Sequence, residues 1–134
     1  MIDVAFLQLL SSDDEVEAIA DGRVYFDVRP QNERQPSIVL NLISATPGMT
    51  FKGRGGYVNG RMQVNCSAPT KSQAKSLAQA ARDALDGYVG TTDGTMFSYI
   101  LTQNFRDIPV VVLPGAATPA SYGVSIDALF MAAE

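Results

Sequence analysis

The sequence predicts an α+β fold: a single domain in which a largely antiparallel sheet carries its helices on one face. Three observations predict it. Gly60 to Gly87 joins a period-two apolar segment to an amphipathic helical one, the stretches Met96–Arg106 and Ser121–Met131 alternate again, and the first 22 residues carry helix-capping signals.

At the amino terminus, Val4, Leu7 and Leu10 recur at helical spacing, while Asp3 and Gln8 interrupt the apolar run. With that interruption and no basic leader, the stretch predicts neither an export signal nor a membrane span. Ser12 followed by Glu15 has the capping-box pattern of a helix start, and Val16, Ile19 and Ala20 continue a second helical piece that stops at Gly22. Arg23 to Val28 is a short strand. Pro30 to Pro36 is a polar connection, and the β-branched run Ser37 to Ala45 reads as a more buried strand. Met49 to Gly60, with Gly53, Gly55, Gly56 and Gly60, reads as the longest irregular segment, a hairpin connection.

In the next segment Met62, Val64 and Cys66 alternate with Arg61, Gln63, Asn65 and Ser67, as a strand with one buried face requires. Thr70 and Gln73 form a second capping-box pattern. Behind it Ala74, Leu77, Ala78, Ala81, Leu85 and Tyr88 share one helical side, and Gly87 supplies the stop. A stripe made mostly of alanine lets this helix lie close on the sheet. Gly90 to Gly94 reads as turn. Met96 to Arg106 follows as a strand with Phe97, Tyr99, Leu101 and Phe105 on one face, a pattern that Ile100 and Gln103 break. Pro109 to Pro119 ends in a proline-rich loop, and the closing strand presents Tyr122, Val124, Ile126, Ala128 and Phe130 to the core.

The composition excludes several kinds of chemistry. A chain of 134 residues with 46% apolar content builds one core, and a net charge of −4 opposes binding to nucleic acid through its phosphates. Histidine is absent, which removes Ser-His-Asp and Cys-His catalysis and the usual zinc sites, and leaves no side chain that titrates near neutrality as a pH trigger. The single Cys66 sits at an apolar strand position, where a buried hydrophobe is the simpler reading than a reactive thiol. Asp13, Asp14, Glu15 and Glu17 invite comparison with a metal site, but acids in a first helical turn complement the helix dipole and no calcium-binding loop follows. A phosphate-cradling loop at Met49 to Gly60 fails because the GxxxxGK[ST] pattern is missing and a strand, not a helix, comes next. No cofactor site emerges.

The order of features resembles a known family. Gly22-Arg23-Val24-Tyr25 after an amino-terminal helix, a strand ending in Ser44-Ala45-Thr46-Pro47, the strand Arg61-Met62-Gln63-Val64-Asn65-Cys66, and the helix from Gln73-Ala74-Lys75-Ser76 to Leu85-Asp86-Gly87 together look like the tail-completion proteins of tailed phages. These are also called tail-terminator or head-to-tail joining proteins, with relatives in prophages and gene transfer agents. The resemblance spans roughly Leu7 to Phe130. It departs from a typical member at Phe51 to Gly60 and at Pro109 to Pro119.

The resemblance implies a structural virion component at the tail–neck junction, assembled in the host cytoplasm, and not an enzyme. It implies a ring, usually a hexamer, that ends the tail tube and joins it to the neck so that DNA passes. The implied partners are further copies of the chain, the tail tube protein and the neck (head completion) proteins, with no membrane and no cofactor. Phe51, Lys52, Arg54 and Tyr57, with Lys71, Lys75 and Arg82 on the exposed helix side, are the candidate contacts to a neighbouring subunit or the tube. Six copies at −4 each would carry −24, and an acidic channel repels passing DNA, so Asp13, Asp14, Glu15, Glu17, Asp83, Asp86 and Asp127 are candidates to line it. Another oligomeric neck, tube or secretion-apparatus protein is the alternative reading. An enzyme working through carboxylates or the Lys52/Arg54 pair is a third, for which no converging titratable groups can be paired.

Overall fold

Each alternating segment has one apolar face and each helix one apolar stripe, and a single interior satisfies them all. The computed structural model describes residues 2–28, 35–50, 53–108 and 122–133. The elements run α1 (Ile2–Ser11), α2 (Asp14–Ala20), β1 (Val24–Phe26), β2 (Ser37–Thr50), β3 (Gly53–Ala68), α3 (Lys71–Leu85), β4 (Gly90–Thr92), β5 (Thr95–Ile108) and β6 (Tyr122–Ala133). The six strands form one curled sheet in the order β1-β2-β3-β6-β5-β4. Every pairing is antiparallel except β1 with β2, which is parallel. The helices lie on one face, giving the α+β architecture that the sequence predicts.

The core is the layer between helices and sheet. Met62, Val64 and Cys66 of β3, with Val124, Ile126, Ala128 and Phe130 of β6, face the alanine stripe of α3, where Ala74, Leu77, Ala78, Ala81 and Leu85 are fully buried. At the other end, Phe6 of α1 meets Phe97 and Phe130 edge-on at 5.3 and 5.4 Å between ring centres. Gly60, opposite Phe130 in the β3–β6 register, leaves the space that this ring fills. A Cβ there would lie 2.6 Å from Phe130 Cζ and 2.4 Å from the Ser44 carbonyl oxygen.

Several local expectations change. The predicted short helix is α1; its buried residues are Ile2, Ala5, Phe6 and Leu10, with Leu7 partly buried against the core. The cap of α2 is Asp13, not Ser12: the Asp13 carboxylate accepts from Val16 N–H at 3.1 Å, while the Ser12 hydroxyl donates back to the Gln8 carbonyl at 2.7 Å and closes α1. A carboxylate at the positive end of the dipole is the stronger cap. Thr70 does cap α3, accepting from Gln73 N–H at 3.2 Å, but the Gln73 side chain receives the Thr70 hydroxyl instead of reaching a backbone donor.

The segment read as an irregular connection, Met49 to Gly60, is strand for most of its length, with Met49 opposite Arg54 and Thr50 opposite Gly53. Gly90 to Thr92, read as turn, adds the edge strand β4. In β5 the buried residues are Thr95, Phe97 and Ile100, while Leu101 is exposed and Phe105 largely so. A register shift between Phe97 and Tyr99 explains this, since one extra residue flips every later side chain to the other face. Most of Pro30 to Pro36 and all of Pro109 to Pro119 fall outside the described residues.

Arg23 joins the layers. Its guanidinium donates to the carbonyls of Pro36 (2.8 Å) and Ile19 (3.3 Å), and its own carbonyl accepts from Ile38 N–H at 2.9 Å. One side chain therefore closes the α2 terminus and fixes where β2 enters the sheet.

Candidate functional site

The β2–β3 hairpin reaches beyond its neighbours. β1 covers β2 only at Ile38 to Leu40, and β6 covers β3 only from Val58 to Ala68. Past these limits the two strands pair with each other alone among the described residues. The five β3 residues beyond β6, Gly53 to Tyr57, extend the ribbon by roughly 17 Å at strand rise. A two-stranded ribbon without further cover is marginally stable in water. Arg54 and Tyr57 belong to this arm; Phe51 and Lys52 lie outside the described residues.

The predicted helix cations stand elsewhere. Lys71 and Lys75 each place Nζ 3.4 Å from one oxygen of Asp107 on β5. Desolvation pushes the Asp107 carboxyl up, but the two ammonium groups outweigh it and hold it below the ordinary carboxylate range. Arg82 is exposed on the last turn of α3, beside Asp86. Between α2 and α3 runs an open groove of about 580 Å³, floored by Ala18, Ile19 and Ala80 and rimmed by Glu15 and Lys75.

The seven acids are not brought together. Asp13 caps α2, with Asp14, Glu15 and Glu17 in its exposed first turn. Asp83 accepts from the Gln79 amide at 3.1 Å. Asp86 accepts from the Thr102 backbone N–H at 2.9 Å, and that bond holds its carboxyl below the usual range. Beside it Gly87, at φ +79°, donates its N–H to the Ile100 carbonyl at 2.8 Å, so the end of α3 is tied to β5 at two points.

Asp127 is different in kind. It is only 4% exposed and lies on the helix-free face of the sheet. One oxygen, Oδ2, is approached by Asn104 Nδ2 at 2.9 Å, Arg106 Nη1 at 3.4 Å and Arg61 Nη1 at 3.8 Å. The register explains the convergence: Asp127 stands between Gln63 and Gln103, so Arg61 and Arg106 reach it from the two sides along the strands. Asn104, at φ +54°, sits in the β5 irregularity that turns its amide onto the carboxylate. The sequence reading placed Asp127 among channel acids and missed its partners. The signal was present, since a lone acid in an otherwise apolar strand requires cations beside it.

Among the described residues no group of three or more His, Cys, Asp or Glu side chains could hold a metal ion. Burial pushes the Cys66 thiol up to about 12, so at neutral pH it is not a thiolate. Among the described residues no helix is long and apolar enough to cross a membrane.

Comparisons with known proteins agree with this architecture. The model of the family described as "Tail completion protein gp17" matches residues 4–110. A solved chain from "Virion of native gene transfer agent (GTA) particle" superposes with a TM-score of 0.78 at 15% identity, covering 99% of this chain and 95% of that one. A second solved chain gives a TM-score of 0.56 at 16% identity, covering 99% and 93%. At these identities the two likenesses establish a shared fold. No curated protein matches by sequence. With the family model spanning α1 to the end of β5, the chain belongs to the tail completion protein gp17 family, structural proteins of phage and phage-like tails.

Proposed function

We propose that this chain forms a ring, six copies in the simplest case, at the head-proximal end of a phage or phage-like tail. There it ends the tail tube and joins it to the neck so that DNA passes. The β2–β3 arm is the observation that carries the reading beyond family membership. A ribbon that outruns its own sheet by roughly 17 Å needs a partner surface to cover its backbone. A ring supplies one, because a heterologous contact matches one surface of each subunit to a different surface of the next.

Arg54 and Tyr57 of the arm, with Phe51 and Lys52, are the proposed contacts to a neighbour or the tube. Arg82 is a further proposed contact, whereas Lys71 and Lys75 already share Asp107 within the chain. Of the acids, Asp14, Glu15, Glu17 and Asp83 are the proposed channel lining. Asp13, Asp86 and Asp127 already cap a helix, tie α3 to β5 or hold the arginine pair, whereas Asp83 accepts only from Gln79 on the exposed side of its own helix among the described residues.

The test is particle assembly with and without this chain. Without it, tubes of irregular length and unattached filled heads are expected in electron micrographs. Tails of normal length joined to heads would overturn the reading. Native mass measurement checks the ring: six copies of 14.3 kDa give about 86 kDa, either in solution or on tube ends.

A further inference from the structure

We infer that the helix-free face of the sheet holds a binding cleft for a carboxylate carried by a protein partner, built around Arg106 and Ser125. This cleft, about 540 Å³, opens between β3, β6 and the end of β5, and its walls include Gln63, Asn65, Arg106 and Ser125. The register places these groups side by side, with Asn65 opposite Ser125 and Ser125 opposite Arg106.

Two independent observations point to an anionic ligand. The first is charge. Arg61 and Arg106 share the single carboxylate of Asp127, which leaves the trio one positive charge in excess. Arg106 reaches Asp127 through Nη1 alone, at 3.4 Å, and the same nitrogen lies 3.4 Å from the Asn104 carbonyl. A guanidinium has five N–H donors in a planar fork, and among the described residues only Nη1 of Arg106 has a partner, so the rest of the fork is available to an incoming carboxylate. Asp127, buried behind it, fixes the fork's direction.

The second observation is Ser125. It is 2% exposed, and its hydroxyl has no hydrogen-bond partner among the described residues. A buried hydroxyl without a partner forgoes a bond that a ligand in the cleft can restore. The side-chain amides of Gln63 and Asn65 add donors. Asp107, the acid on the rim, is already held by Lys71 and Lys75. A carboxylate suits this arrangement better than a nucleic-acid backbone, because one net positive charge gives little of the multiple-phosphate contact on which such binding depends.

The test compares two capped peptides, Ac-Ala-Glu-Ala-NH₂ and Ac-Ala-Gln-Ala-NH₂, with a short duplex DNA, each titrated at constant ionic strength while NMR follows the Arg Nε–Hε and Ser125 amide signals. The Glu peptide is expected to shift both in a saturable way, with a dissociation constant on the order of 1 mM, and the Gln peptide at least tenfold more weakly. Arg106→Gln should abolish the shifts, Arg106→Lys should restore part of them, and Ser125→Ala should weaken binding several-fold without altering the Asp127 contacts. Equal response to both peptides, or unchanged binding in Ser125→Ala and Arg106→Lys together, would overturn the proposal. Stronger shifts with DNA would overturn it in favour of phosphate recognition. Should Arg106→Gln fail to fold, the Ser125→Ala and Arg106→Lys titrations decide the matter alone.

Discussion

Gly60 is the position where one missing carbon decides the packing. The Phe130 ring occupies the space a side chain would need, and the Ser44 carbonyl closes the other side. Backbone cannot retreat as a flexible side chain can, so Gly60→Ala is expected to destabilise the fold by about 1–3 kcal/mol, read from urea unfolding midpoints. Asp127 makes a second prediction at this scale, through an asymmetry. Removing both Arg61 and Arg106 leaves a buried carboxylate with no cation and only the Asn104 amide as donor among the described residues, whereas neutralising Asp127 leaves two guanidiniums that are 39% and 48% exposed and can hydrate. The double variant Arg61→Ala/Arg106→Ala should therefore unfold at lower urea than Asp127→Asn. The reverse order would mean that the guanidiniums, not the carboxylate, depend on the cluster.

Among the elements, α3 shows how a helix is fixed at both ends. Thr70 holds its start, and Asp86 with Gly87 ties its end to β5. The Thr102 N–H bond lowers the folded-state pKa of Asp86 relative to the unfolded chain, so the unfolded state binds the proton more readily. The stabilisation is present above the ordinary aspartate range, near pH 4, and disappears as pH falls through the lower folded value. Asp86→Asn should therefore be less stable than wild type at pH 7 and indistinguishable from it near pH 2, in thermal unfolding followed by circular dichroism. The β2–β3 arm is the other informative element. Deleting residues 52–56 shortens the ribbon beyond the part that β6 covers, so the subunit should fold normally while ring formation or tail joining fails. Intact joining by the shortened chain would remove the arm from the interface.

For the molecule as a whole, the single domain, the α+β class, the inward residues of β3 and β6 and the alanine face of α3 were legible in the sequence. Their periodicities are local, and burial on one face writes them directly into the chain. The order of those pieces also carried the family resemblance. The arm was legible only as a glycine-rich connection, because glycine marks turns and unusual strands alike and nothing local tells them apart. The exposed Leu101 and buried Ile100 depend on a register shift in β5, which exists only against β6. The Arg61–Asp127–Arg106 cluster needs three strands in register, drawn from segments more than sixty residues apart at the extremes. Local spacing thus determined the inward residues of β3, β6 and α3 and what class of fold results. Only the tertiary structure decided which charges meet, since sheet order and register are properties of long-range pairing.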